Sequence, residues 1–191
     1  MLNPHWYYFL TLDSDLDNIS RYVDFDKANF KTFSIEFVRI ILAAGSEIDV
    51  TSKIFCEKIA PGKLKKEPNI NYYREIITNK YPQLSSMKIT IPKYQIDLNP
   101  WEKWQGNENP LWWRKYNDIK HQRHQMYQEA NLENTLNAVA GLFVFAYYLH
   151  VKWIPINNLP WPKLLSVDDT YIQGAKFGFS YWTPDGHVLI E

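Results

Sequence analysis

A chain of 191 residues fits one domain built around one hydrophobic core. Hydrophobic residues make up 46% of it and aromatic residues 16%, which excludes a disordered protein. The 21 basic and 21 acidic residues cancel, so no overall field attracts nucleic acid or an anionic membrane. We expect a single domain over 1–191, with a helical bundle over 1–152 and a tail over 153–191 packed on it.

Three features bear on where such a chain works. The start, MLNPHWYYFLTLDSD, has neither the basic region nor the cleavage site of a signal peptide. Cys56 is the only cysteine and lies in an apolar helical pattern, which predicts a buried thiol in a reducing compartment. The longest apolar run, 138–149, is shorter than the ~20 residues of a membrane span. We expect a cytoplasmic protein with no membrane partner.

Apolar periodicity predicts an all-α fold, a bundle of about four to five helices. The first helix is expected over 4–23. The clearest pattern covers 30–59, where apolar residues recur every three or four positions, and predicts a long amphipathic helix with a kink near Gly45. A short helix over 70–81 ends before a proline.

The second half begins with a change of pattern. Residues 87–96 (MKITIPKYQI) alternate around a proline and predict a short extended segment or edge strand. The Trp-rich connection DLNPWEKWQGNENPLWW follows, and connections of that length are often functional. Two more helices are expected over 112–129 and 131–150, the second nearly apolar throughout. The tail is expected to be irregular or a hairpin that turns at 184–186.

Candidate chemistry concentrates in WWRKYNDIKHQRHQ, residues 112–125. On an α-helix, Arg114 and His121 lie within about 20° of one another and ~10.5 Å apart along the axis. The segment from Arg114 to His124 contains four Lys or Arg residues and one Asp, so this is a local basic patch where a phosphate would bind. The predicted polar stripe consists of Arg114, Asn117, His121 and His124, with Lys120 at its edge.

Each of these features also has a structural interpretation. A helix rich in Arg, Lys and Gln is often only a solvated face, although the flanking Trp112, Trp113 and Tyr116 argue against that here. Glu47 lies beside the apolar pattern of the second helix, where it either pairs with Arg114 or Lys120 or forms a purely structural ion pair. The tryptophans either stack RNA bases or pack the loop onto the core. They are Trp101, Trp104, Trp112 and Trp113.

Other kinds of site lack support in the sequence. Asp13, Asp15 and Asp17 have the alternate spacing of a calcium loop, but the glycine and glutamate of that loop are missing. His121 and His124 have no nearby Cys or third His to complete a zinc site. The chain has no GxGxxG, P-loop or GxSxG motif. We expect neither a metal nor another cofactor.

The order of segments resembles the HEPN superfamily (higher eukaryotes and prokaryotes nucleotide-binding). The similar segments are TFSIEFVRIILAAGSEIDV, the Trp-rich loop, WWRKYNDIKHQR and NLENTLNAVAGLFVFAYYL, within residues 1–150. The resemblance implies a helical bundle, often a homodimer, whose motif of an Arg, four to six residues and a His forms a metal-independent ribonuclease site. Arg114 and His121 match that motif, while Lys115 stands where the family commonly has Asn or Asp.

The resemblance also implies a biological setting. Many such proteins look like toxins or phage-defence effectors that cut RNA, so RNA, an antitoxin or another protein is an expected partner. Other members of the superfamily are non-catalytic binding or scaffold modules. Three hypotheses therefore stand: a ribonuclease, a non-catalytic binding module, and a structural role. In the structural role, the segment WWRKYNDIKH locks one helix to another through buried hydrogen bonds.

The chemistry can be stated apart from the family. Cutting RNA without metal needs a base, an acid and cations, which His121, Arg114 and Lys120 can supply. One histidine cannot be acid and base in one step, but a two-fold dimer brings two copies of His121 together. His124 is the alternative second group. Asn117 completes the predicted catalytic set, and the supporting or binding residues are Glu47, Trp113, Tyr116, Arg123 and His124.

Overall fold

The computed structural model describes residues 4–150, 160–167, 180–183 and 186–189. Within these ranges the chain forms five α-helices, which confirms the predicted helical bundle. None of the described helices is long and apolar enough to cross a membrane. The helices are α1 (Pro4–Ile19), α2 (Ile35–Ile59), α3 (Ile70–Lys80), α4 (Leu111–Met126) and α5 (Leu132–His150). The strands are β1 (Ile89–Ile91), β2 (Ile96–Leu98), β3 (Ser166–Val167), β4 (Ser180–Thr183) and β5 (Gly186–Leu189).

Helix α5 is the centre of the bundle. Seventeen of its 19 residues are buried, and it packs against α1, α2 and α4. Its sequence is apolar on every side, which is the pattern of a helix surrounded by other elements rather than lying at a surface. The other helices bury one face each, and α4 buries only four of its 16 residues.

Helix α2 begins at Ile35, later than the predicted residue 30. Ser34 is its N-cap, and the Ser34 side chain accepts a hydrogen bond from the Phe37 N–H. The preceding segment bonds instead to the start of α5, where Leu132 N–H donates to Thr32 O and Glu133 N–H donates to Phe30 O. The helix then runs unbroken to Ile59, so the expected kink near Gly45 is absent.

The region predicted as one extended segment is a hairpin. Strands β1 and β2 pair antiparallel, with a 3₁₀ turn at Pro92–Tyr94 between them. Strand β3 pairs with the other side of β1, so β1 is the central strand of a three-stranded sheet and not an edge strand. The proline does not interrupt the sheet because it follows the last residue of β1.

The described part of the tail is tied to the bundle through α1. The buried Asp13 carboxylate accepts hydrogen bonds from the backbone N–H groups of Lys163 (2.6 Å), Leu164 (3.2 Å) and Leu165 (3.0 Å). The Trp6 indole N–H donates to Pro160 O at 3.0 Å. Farther along, β4 and β5 form the antiparallel pair predicted for the tail, while the turn residues 184–185 lie outside the described residues.

Candidate functional site on helix α4

The inner side of α4 is fixed by large buried aromatic residues. The Trp112 indole N–H donates to Pro100 O at 2.8 Å, and Tyr116 lies against Gly45 of α2. A Cβ at position 45 would be 2.4 Å from the Tyr116 ring, so only glycine permits this approach. The four buried residues of α4 are Trp112, Trp113, Tyr116 and Ile119. They hold the helix from beneath, and its polar side chains point away from the core.

All four tryptophans that could have stacked RNA bases are buried. Trp101 is 0% exposed and Trp104 is 2% exposed, and the Trp101 indole N–H donates to Gly141 O at 3.1 Å. Trp112 and Trp113 are also buried. This burial confirms that the tryptophans pack the loop onto the core. The alternative hypothesis, that they stack RNA bases, is wrong. Trp113 and Tyr116 support the site from below rather than contact a ligand with an open ring face.

The outer side of α4 carries Arg, Lys and His side chains that packing does not use. Arg114, Lys120 and His121 are exposed, and we call these three residues the outer face of α4. Among the described residues, the side chains of Arg114 and His121 have no hydrogen-bond or ion-pair partner, although the Arg114 backbone N–H donates to Pro110 O. The Lys120 ammonium lies 5.7 Å from the centroid of the Tyr116 ring. The hypothesis of a lock made by buried hydrogen bonds therefore does not fit these three side chains.

The helix geometry holds from Arg114 to His121 and breaks immediately afterwards. Gln122 has φ −133° and ψ 39°, which is not helical, so α4 kinks there. Arg114 and His121 therefore keep the seven-residue spacing that places them on one face. His124 and Arg123 follow the kink and do not continue the predicted polar stripe, although both are exposed.

Two neighbours of the outer face are already engaged. The Asn117 side-chain amide donates to Trp113 O at 2.9 Å, which turns it back onto its own helix. The Lys115 ammonium pairs with Glu129 at 3.0 Å and lies 3.9 Å from the Asp118 carboxylate. Lys115 thus connects α4 to the turn that follows the kink, and it is less exposed than Arg114.

Glu47 pairs with His5 of α1. The interpretation in which Glu47 pairs with Arg114 or Lys120 is therefore wrong. The reason is the position of Glu47 on α2. Gly45 faces α4, and a step of two residues turns an α-helix by about 200°, so Glu47 faces the opposite neighbour. Partial burial, followed by the negative charge of Glu47, raises the pKa of the nearby Tyr8 hydroxyl. The structural alternative for Glu47 is the one observed.

Sequence reasoning missed the role of Asp13, which it considered only as a calcium ligand. Burial raises the pKa of the Asp13 carboxyl, against the opposite effect of the three backbone N–H donors from the tail. A signal was present in the sequence. Trp6, Phe9, Asp13 and Leu16 follow one helical stripe, so the aspartate stands at a core position and needs buried donors there.

No family model matches this chain, and searches of curated proteins and of solved structures found no match. Among the described residues there is no group of three His, Cys, Asp or Glu side chains that could hold a metal ion. The outer face of α4 lies on open surface rather than in a cavity, since all three of its side chains are exposed. A reaction there needs a second surface to enclose the substrate.

Proposed function

We propose that this protein is a metal-independent endoribonuclease whose reacting groups lie on the outer face of α4. The observation that carries the proposal is the shared face of Arg114 and His121 on the straight part of α4, above a buried aromatic platform. A rigid platform matters because catalytic side chains must be held close to the productive geometry. Neither side chain is required for packing, which leaves both free to contact a substrate.

The reaction follows from the chemistry of the three side chains. Neutral His121 takes the proton of a ribose 2′-hydroxyl, and the 2′-oxygen attacks the adjacent phosphorus. The bond from phosphorus to the 5′-oxygen breaks, leaving a 2′,3′-cyclic phosphate. Arg114 and Lys120 stabilise the negative charge that develops on the phosphoryl oxygens. The departing 5′-oxygen takes a proton from a second acid.

A second copy of the chain is the proposed source of that acid. A two-fold dimer that brings the two α4 helices together places two copies of His121 in one cleft, one neutral and one protonated. The same arrangement encloses the substrate between two outer faces that are each open in a single chain. We place this activity in the cytoplasm, with a role as a toxin or phage-defence effector that an antitoxin restrains.

The test is cleavage of a mixed RNA pool by the purified full chain in EDTA. We expect fragments ending in 2′,3′-cyclic phosphate, and we expect His121→Ala to lower the rate at least about 100-fold, the size of a general acid–base contribution. His124→Ala is the matched control, because His124 is also exposed but follows the kink. An intact pool between pH 6 and 8 would contradict the proposal.

The second candidate is a non-catalytic RNA-binding module that uses the same cations. It is favoured by one observation: among the described residues, no carboxylate or other group is hydrogen-bonded to His121 to orient its ring. In that case Arg114→Ala weakens RNA binding, His121→Ala leaves binding largely unchanged, and no variant differs from wild type in cleavage. A fluorescence-anisotropy titration with a labelled RNA distinguishes the two candidates.

A further inference from the structure

A polar cleft of about 500 Å³ lies along the exposed side of α3, outside the outer face of α4. The loop before α3, the exposed side of α3 and the loop before α4 form its walls. Its size is within the range of small-molecule sites. Its lining is unusual for such a site because side-chain amides dominate it, with Asn69, Asn71, Asn79 and Asn107 all present.

Hydrogen bonds fix one wall of the cleft and leave other amides open. The Asn109 amide donates to Asn71 Oδ1 at 2.9 Å, and Arg74 Nη1 donates to Asn109 Oδ1 at 3.1 Å. Asn69 caps α3 by accepting from two backbone N–H groups. Among the described residues the side-chain amides of Asn79 and Asn107 have no partner, so both are open to a ligand.

The charges in the cleft indicate an uncharged ligand group. Lys65 and Arg74 supply two positive charges, and Glu67 and Glu75 supply two negative charges. A phosphate would gain little attraction there, in contrast to the outer face of α4, where the Arg114 and Lys120 side chains are exposed and neither is paired with a carboxylate among the described residues. Tyr72 adds a half-buried aromatic ring with the Lys65 ammonium 4.5 Å from its centroid.

The cleft is connected to the start of α4 through the loop that forms its third wall. Asn109, which bonds to both Asn71 and Arg74, precedes Arg114 by five residues. Five residues span at most about 18 Å, a distance that about five stacked nucleotides cover. A strand of about five nucleotides with a phosphate on Arg114 is therefore long enough to reach the residues that Asn109 contacts in the cleft wall.

We propose that this cleft binds an adenine base of the RNA strand held on α4. The amide oxygen accepts from the adenine amino group while the amide nitrogen donates to N7, and no other base offers an amino group beside N7. Asn79 and Asn107 are the reading amides, and Tyr72 supplies an aromatic side chain in the cleft wall. The inference rests on the proposed RNA function, and it adds a preference among bases to that function.

The experiment compares two uncleavable probes, fluorescein-labelled 2′-O-methyl A10 and U10, by anisotropy with the full chain in EDTA. We expect A10 to bind about tenfold more tightly, as one bidentate amide contact provides. Asn79→Ala and Asn107→Gly should each remove most of that preference without changing the affinity for U10. Glycine is chosen at position 107 because Asn107 has φ 59°, which glycine adopts without strain.

Asn18→Ala is the matched control, since Asn18 is an exposed asparagine on α1 outside the cleft. Equal affinity of the wild type for A10 and U10, or a preference that both cleft variants retain, would overturn the assignment. If neither probe binds, the proposed RNA function fails. A separate titration with adenosine then tests whether the cleft binds adenine. Amide NMR shifts within 69–79 caused by adenosine and not by uridine would support it, and their absence would overturn it.

Discussion

Helices α4 and α5 are consecutive in the chain and pack against each other, yet they bury very different shares of their residues. Seventeen of 19 residues of α5 are buried, compared with four of 16 in α4. Packing therefore explains almost every side chain of α5, and only the inner side of α4. The basic residues on the outer face of α4 contribute little to the fold, and this contrast is why we place the function there.

The largest expected effect is on the inner side of α4. Trp112→Ala should lower the free energy of unfolding by about 3–5 kcal/mol, because it removes a buried ring and leaves Pro100 O without its indole donor. Leu111→Ala is the control, since the adjacent leucine is exposed. Urea unfolding measures both. Similar small losses in the two variants would remove the distinction between the inner and outer sides.

A smaller loss of stability is expected from a substitution where α4 packs against α2. In Gly45→Ala the new Cβ would be 2.4 Å from the Tyr116 ring, so the ring or the helix must shift. We expect a loss of about 2 kcal/mol in the free energy of unfolding, although alanine by itself favours a helix.

The matched control is Gly106→Ala, where a Cβ meets nothing within 4 Å. Thermal and urea unfolding should show a lower free energy of unfolding for Gly45→Ala than for Gly106→Ala. If Gly45→Ala were as stable as wild type, the close approach of α2 and α4 would not be a requirement of the fold.

Loss of the ion pair beside the outer face should have a much smaller effect. Lys115→Gln removes the 3.0 Å pair with Glu129, and a partly exposed pair of this kind contributes about 0.5–1 kcal/mol. Arg39→Gln on α2 removes the pairs of the more exposed Arg39 with Asp15 and Glu36, and it is the comparison. Urea unfolding at 0.1 and 1 M salt should show that both losses shrink at high salt, while a salt-independent loss would indicate a packing role for Lys115.

The single histidine of α5 should make the stability of the protein depend on pH. His150 is 2% exposed and stacks on Trp6, and among the described residues neither ring nitrogen has a hydrogen-bond partner. Burial, and then the positive charge of Lys58, lowers the pKa of His150 below 6.5. The unfolded chain therefore takes up the proton first, and stability should fall as the pH drops from about 6.5 towards the folded-state pKa.

The check is urea unfolding of wild type and His150→Phe at several pH values between 7.5 and 5. The phenylalanine keeps the ring stacked on Trp6 and cannot be protonated, so this variant should lose part of the pH dependence. His124→Gln changes an exposed histidine and should keep the pH dependence of the wild type. An unchanged pH profile in His150→Phe would mean that burial of His150 does not affect its protonation.

Local patterns predicted the helices well, because each helix shows its buried face in its own residues. The apolar stretch of α5 and the recurring apolar residues of α2 are examples. Boundaries were less accurate where distant segments intervene. Phe30 and Phe33 continue the apolar pattern of α2, but their backbone pairs with the start of α5, about 100 residues away in the chain.

Parts of the candidate site depended on contacts that no local pattern reveals. The spacing of Arg114 and His121 could be predicted because it needs only helix geometry. The kink at Gln122 could not, since glutamine is a good helix former and nothing in its neighbours predicts a break. The pairing of Glu47 with His5 joins residues 42 positions apart, so only the packing of α1 on α2 determines it.

The most direct measurement determines the free energy of unfolding and the rate of RNA cleavage in EDTA on the same preparations of wild type, Arg114→Ala and His121→Ala. We expect both variants to remain within about 0.5 kcal/mol of wild-type stability, as exposed residues without partners usually do, and to lose at least about 100-fold in cleavage rate. Variants that lose stability, or that cleave as fast as wild type, would contradict a functional role for the outer face of α4.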